Sequence, residues 1–143
     1  MGMNQVHILY PMAAMMVLTC IVMALMLRER VAEMKERRIH PQKVASSSQM
    51  SATLQNTRAA DNYKNLFEMP VFFHALCLAV LATETAGPGM VVAAWAYVGL
   101  RCVHSAIHLG YNKVMHRFYV FLASCVLLAG MWVAFIVDMA ARH

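Results

Sequence analysis

The sequence predicts an all-α integral membrane protein, a bundle of four spanning helices, and three observations carry that prediction. The 143-residue chain is 61% hydrophobic and only 13% charged, with positive mean hydropathy, which leaves too little polar surface for a soluble domain of this size. Ile8 to Leu27 and Phe118 to Val137 are each runs of twenty residues without a charge, and a helix needs about 20 residues to cross ~30 Å of hydrocarbon. Two less pure apolar segments, 66–86 and 91–110, flank Gly87-Pro88-Gly89, a strong turn signal. No internal repeat or second domain is visible, so residues 1–143 form one domain with spans at about 8–27, 66–86, 91–110 and 118–137.

The first span reads as a retained helix. Met1 to His7 lacks the Lys or Arg of a signal peptide, and the apolar run ends in Arg28-Glu29-Arg30, not in a small-residue cleavage site. Val6 stands where a myristoylation start needs Ser or Thr. Alternating charges from Arg28 to Arg38 predict that the helix continues into water with i,i+4 pairs along it. His40-Pro41 is the expected stop, and from Gln42 to Thr57 the absence of apolar periodicity and the run Ser46-Ser47-Ser48 read as loop.

Orientation follows from the basic residues. The connection from Arg28 to Lys64 carries eight of the twelve Lys and Arg residues, Lys113 and Arg117 lie in the third connection, and the Gly87–Met90 turn has none. Four spans with both basic connections in the cytoplasm put the N-terminus, the short turn and the C-terminus on the far side. A basic cytoplasmic rim facing anionic headgroups accounts for the net charge of +5, so no nucleic-acid partner is implied.

Several residue types carry no chemistry on this reading. Cys20, Cys77, Cys102 and Cys125 fall in four different spans with no Cys-x-x-Cys pair, as small apolar fillers would. The fourteen Met residues scatter around all helix faces as adaptable packing, and no metal site is expected. Trp95, Trp132 and Tyr119 fit interfacial anchors.

The polar residues inside the spans are the candidates for function, because an ionisable group in a membrane segment is costly unless it is paired or faces a cavity. At about 100° per residue, with Arg58 at zero, Asn62 lies near +40°, Asn65 near −20° and Glu68 near −80°, one stripe. On the third span, with Arg101 at zero, His104 lies near −60°, His108 near −20°, Tyr111 near −80° and Asn112 near +20°, a second stripe. Both lie in the cytoplasmic half and can meet in a pocket between helices. Pro70 cannot bond the carbonyl of Leu66, so it either begins the buried helix or kinks a longer one; the stripe upstream favours the kinked helix.

The run Arg58-Ala-Ala-Asp-Asn62-Tyr-Lys-Asn65-Leu-Phe-Glu68-Met-Pro70, the long basic first connection and Arg101-x-x-His104-x-x-x-His108 on the third span resemble the MAPEG family, membrane-associated proteins in eicosanoid and glutathione metabolism, in a bacterial-type member. The resemblance covers most of the chain, and its most specific part is Asn-x-x-Glu followed closely by Pro. It implies a homotrimer in the bacterial inner membrane, with glutathione as co-substrate held between subunits at the cytoplasmic side and a small lipophilic substrate reached through membrane lipid. The implied activity is that of a glutathione transferase or peroxidase.

Residue by residue, Asn65 and Glu68 match the peptide-binding Asn and Glu of glutathione-using members, and Arg101 matches an Arg on the third helix. The family's Arg four positions before the Asn falls on Asp61, whereas Arg58 stands four before Asn62. The two tyrosines that follow the Arg in leukotriene-forming members are His104 and His108 here, and the thiol-activating Arg falls on Met115, between Lys113 and Arg117. Glutathione has two carboxylates, an amine and a thiol of pKa about 8.5, so a binder needs Arg for the carboxylates, a carboxylate for the amine and a cation beside the sulfur. The expected glutathione-binding set is Arg58, Asn62, Asn65, Glu68, Arg101, His104 and His108, and Arg28, Arg30 and Arg117 are the candidates for thiol activation.

Three plainer readings stay open. Glu68 can pair with Arg101 or Arg58 and do no more than neutralise and fix helix register. The histidines and asparagines can be interhelical glue, in a non-enzymatic membrane protein that binds lipid or a partner. His74 and His104, at similar depth, can hold a haem for electron transfer, although His74 points about 160° from Arg58, away from the stripe.

Overall fold

The computed structural model describes residues 3–142, and among these the chain is helical with no strand. In order come α1 (Met3–Val6), α2 (Leu9–Glu36), a 3-10 turn (Pro41–Val44), α3 (Ser47–Thr53), α4 (Arg58–Asn65), α5 (Met69–Ala82), α6 (Pro88–Leu109) and α7 (Val114–Arg142). Four helical rods, α2, α4 with α5, α6 and α7, are long and apolar enough to cross a membrane. The chain is an integral membrane protein by that measure and by its family, described below.

Each rod buries one stripe at helical spacing, and outside α4 and the charged extension of α2 the remaining surface is largely apolar and exposed, as lipid requires. On α2 the stripe is Pro11, Met15, Val22 and Met26, and on α5 it is Phe73, Leu76, Cys77 and Val80. On α6 the same face changes character along its length, with Ala94, Tyr97 and Val98 first and then Arg101, His104, Ser105 and His108. The hydrophobic core therefore runs into the polar site without changing helix face. Tyr97 stacks on Phe73 at 4.6 Å between ring centroids, which joins α6 to α5 where the core ends.

The long first helix does extend beyond the apolar run, but it stops at Glu36, four residues before His40. The amide of Ile39 bonds the carbonyl of Met34 at 2.9 Å and that of Arg38 bonds Lys35 at 3.3 Å, with Arg38 at φ 52°. This is a Schellman ending with arginine in the usual place of glycine, and Pro41 comes too late to be its cause. Of the charges on this extension, Glu33 and Arg37 form the i,i+4 pair, at 2.7 Å.

The segment read as loop contains a helix. Ser46 and Gln49 form a capping box, each side chain bonding the other residue's backbone amide, and α3 follows. Glu33 then ties the end of this segment down. Its carboxylate accepts the amides of Gln55 at 2.7 Å and Asn56 at 3.0 Å, and Arg37 donates to the Thr53 carbonyl at 2.7 Å. These hydrogen bonds from Gln55, Asn56 and Arg37 hold the Glu33 carboxyl below its usual range.

The expectation of one kinked helix around Pro70 is corrected. Leu66 to Glu68 leave the helix, and α5 restarts at Met69 with Pro70 in its first turn. The turn tightens before it breaks: Leu66 donates to Tyr63 as well as Asn62, Phe67 to Lys64, and Glu68 to Asn65 at 3.4 Å. Proline lacks the amide that would continue the ladder, and its ring excludes a helical carbonyl four residues earlier. The break also ends the register on which the first polar stripe was drawn.

At the opposite surface Gln5 clamps the α5–α6 turn. Its side-chain amide donates to the Glu84 carbonyl at 2.8 Å and accepts from the Ala86 amide at 2.9 Å. Glu84, at φ 55°, makes the sharp turn that brings both groups to one side chain.

Candidate functional site

The site is built where α4 ends against α6 and α7. Arg101 is fully buried on α6, with no carboxylate within 4.0 Å among the described residues, whose ion pairs are Glu33–Arg37 and Asp138–Arg142. The plain pairing of Glu68 with Arg101 or Arg58 is therefore not formed within the chain. Instead Nη2 of Arg101 donates to the backbone carbonyl of Asn65 at 3.1 Å, and the guanidinium carbon lies 5.7 Å from the centroid of Phe121. Asn65 is the last residue of α4, so Arg101 sits at the negative end of that helix. Nε and Nη1 of Arg101 are buried without a partner among the described residues, an expensive arrangement for a cation in a membrane interior.

One turn further along α6 the histidines meet α7. His104 Nδ1 lies 3.2 Å from the backbone carbonyl of Arg117, and because a carbonyl only accepts, Nδ1 carries the proton. Arg117 Nη1 lies 3.0 Å from His108 Nε2, and because a guanidinium only donates, that nitrogen accepts. The same Nη1 donates to Asn112 Oδ1 at 2.9 Å. The two imidazole centroids are 5.8 Å apart. Nε2 of His104 and Nδ1 of His108 are buried without partners.

A cavity of about 210 Å³ opens here, lined by Asn65, His104, Val114, Arg117, Phe118 and Phe121. One wall is polar and basic, and the other is aromatic and aliphatic. A small anionic or acidic group can bind the first wall while an apolar reactant occupies the second.

The sequence candidates divide as follows. Asn62 is buried on α4 and accepts a bond from Ser105 on α6 at 3.2 Å, while its amide nitrogen has no partner. Asn65 reaches the site through both its carbonyl and its place on the cavity wall. Arg58 is exposed, with Nη1 3.5 Å from the Gly110 carbonyl at the α6–α7 turn. Glu68 is exposed because the break after Asn65 rotates it away from the stripe. Tyr111 and Asn112 lie beyond the end of α6, so they do not extend its stripe; Tyr111 is exposed and bonds His116.

Of the three arginines considered for thiol activation, Arg117 lines the cavity. Arg28 lies in a groove with Glu33, Arg37 and Asn56, and Arg30 lies in another formed with α3 and α4. Met115, on which the family's activating arginine falls, is 53% exposed, while Arg117 two residues later faces inward. His74 turns back on its own helix, with Nδ1 2.7 Å from the Pro70 carbonyl.

Sequence reasoning missed three contributors. The backbone carbonyl of Asn65 serves Arg101, and no side-chain pattern announces a carbonyl. Ser105 was absent from the stripe, although at i+4 from Arg101 it shares that face. Phe121 is an aromatic in an apolar run, with no signal to separate it from its neighbours.

With this geometry in place, comparison with protein-family models returned the MAPEG family, matching residues 8–137. The chain belongs to the MAPEG family. The match takes in α2, α4 with α5, α6, α7 as far as residue 137, and every residue of the cavity. Neither the comparison with curated proteins nor that with solved structures returned a match.

Proposed function

We propose that this MAPEG protein is a glutathione-dependent transferase or peroxidase acting on lipophilic electrophiles at the cytoplasmic face of a bacterial inner membrane. The observation that carries the reading is the two-walled cavity, with Arg117, His104 and Asn65 opposite Val114, Phe118 and Phe121. Arg117 supplies the cation that a thiolate requires, and the aromatic wall offers a path for a reactant dissolved in lipid. Asn65 meets the peptide at the cavity wall, and Arg101 and Asn62 behind it hold α4 against α6. Arg58 and Glu68, exposed on the protomer, are free to reach the carboxylate and amine of a ligand that extends beyond the cavity.

A cavity of about 210 Å³ is smaller than typical small-molecule pockets of ~300–1,000 Å³. It suits the thiol end of the tripeptide, with the remainder held at the protomer surface. A homotrimer completes that surface: a neighbouring copy would bring Arg28 or Arg30, which the single protomer keeps in separate grooves. The long basic connection then lies in the cytoplasm.

The deciding experiment measures glutathione affinity by calorimetry on detergent-purified protein, with conjugation and hydroperoxide reduction assayed in parallel. Glu68→Gln and Arg101→Ala are compared with the parent protein. Saturable binding that both variants lose supports the site; binding that both retain removes these residues from it. Binding without turnover favours a non-enzymatic role in binding lipid or a partner. A Soret band in the purified protein would turn the reading toward a haem carrier.

A further inference from the structure

We propose that His104 is the proton acceptor of this site, its Nε2 removing the proton of a thiol seated in the cavity while Arg117 holds the resulting thiolate. The inference rests on the glutathione reading and goes beyond it, because it assigns the proton to a residue that stands where leukotriene-forming members have a tyrosine.

Three features of the geometry support it. First, the Arg117 carbonyl fixes the His104 tautomer, placing hydrogen on Nδ1 and leaving the lone pair on Nε2. Second, Nε2 is buried and unpartnered, on a residue only 2% exposed that lines the cavity. A buried acceptor without a donor is costly, and a thiol S–H is a donor of the right kind. Third, among the described residues the side-chain hydrogen bonds of Arg117 all leave from Nη1, to Asn112 and His108, so the rest of its guanidinium remains for a ligand. His108 already accepts from Arg117 through Nε2 and is thereby the residue that positions the guanidinium.

The titratable and charged groups around His104 are Arg101 and His108 on its own helix and Arg117 from α7, while α4 contributes Asn65 to the cavity. None of these groups is acidic. A proton on Nε2 is therefore sustained only while the thiolate lies beside it, and the two charges arise and disappear together. With an α,β-unsaturated carbonyl compound as electrophile, the S–H bond breaks and an Nε2–H bond forms. The sulfur lone pair then forms the C–S bond at the β-carbon, and the carbanion that results takes the proton from Nε2. One thiol adds across one double bond, and the imidazole ends as it began.

The test uses the full-length protein in detergent with glutathione, S-methylglutathione and an enone substrate. His104→Asn keeps an N–H at the position of Nδ1, for the Arg117 carbonyl, and removes the acceptor at Nε2; His104→Gln is the second variant. The expected result is that both variants still bind S-methylglutathione, which has no proton to give, while kcat/KM for conjugation is lowered about 100-fold. The ultraviolet absorbance of bound thiolate should appear only at higher pH, and conjugation should recover as the pH rises. If either variant binds S-methylglutathione and matches the parent in thiolate formation and turnover, the proton goes elsewhere and the proposal is overturned. If the parent protein binds neither glutathione nor S-methylglutathione, the glutathione reading itself fails. Restoration of full activity by Asn would reduce His104 to a structural contact and likewise overturn the proposal.

Discussion

Arg101 on α6 donates from Nη2 to the main-chain carbonyl of Asn65, 3.1 Å away at the terminus of α4. Thirty-six residues of sequence separate the two, and the contact exists because the helix containing Asn65 is interrupted. Pro70 causes the interruption, the carbonyl left at the helix end accepts from the cation, and the cation contacts Asn65 and Phe121, two of the residues that line the cavity.

Arg101→Met should therefore separate stability from function. Replacing an incompletely satisfied buried charge by an apolar side chain of similar length is often neutral or stabilising. The melting temperature in detergent is expected not to fall, while glutathione affinity drops at least tenfold, or about 1.4 kcal/mol. Thermal melts and calorimetry on the same preparation check both.

Pro70→Ala should allow α4 and α5 to join. A continuous helix uses the Asn65 carbonyl for the amide of residue 69, and Arg101 loses its acceptor. Circular dichroism is expected to show a gain of a few helical residues, accompanied by weaker glutathione binding.

Gly110→Ala should disturb the α6–α7 turn. A β-carbon there would lie 2.9 Å from the backbone carbonyl of Ala106, a contact that only movement of the backbone can relieve. A destabilisation of about 1–3 kcal/mol is expected. The displaced turn also carries Asn112, so the Arg117 contact should loosen and turnover should fall further than binding.

Acid should release the segment that follows α3. The Glu33 carboxyl is held below its usual range by the amides of Gln55 and Asn56 and by Arg37. A depressed folded-state pKa means that the tether contributes fully above the ordinary carboxylate value, about 4.3, and is lost as the pH falls through the lowered one. Hydrogen exchange at Gln55 and Asn56 should show protection at neutral pH that disappears in acid, and Glu33→Gln should lose much of it at neutral pH.

The rods were legible because lipid imposes length and polarity together: the charge-free run at 118–137 lies within α7, and that at 8–27 lies within α2 but for Ile8, its N-cap. The face of α6 bearing Arg101, His104 and His108 was equally legible, since one uninterrupted helix carries all three. The α4 stripe failed at Glu68 because angular bookkeeping assumes a continuous helix, and Pro70 offered two outcomes that local sequence does not separate. Helix α3 was hidden by a serine run that looks like loop, although Ser46-x-x-Gln49 is a capping signal. Arg117 could be named among several nearby cations, but which of them faces inward depends on where α7 begins, and helix ends are the least certain part of any sequence reading.

The Gln5 clamp has a mechanical meaning. The 28 residues of α2 form a rod about 42 Å long, and the two-pronged bond of Gln5, in α1 just before its first turn, resists sliding or rotation by a full turn against the neighbouring hairpin. Glu33, close to the other tip, can meet Gln55 and Asn56 only if the rod keeps that depth. One amide side chain at one end thus acts as the zero mark of a ruler whose opposite end sets the height of the segment that follows α3.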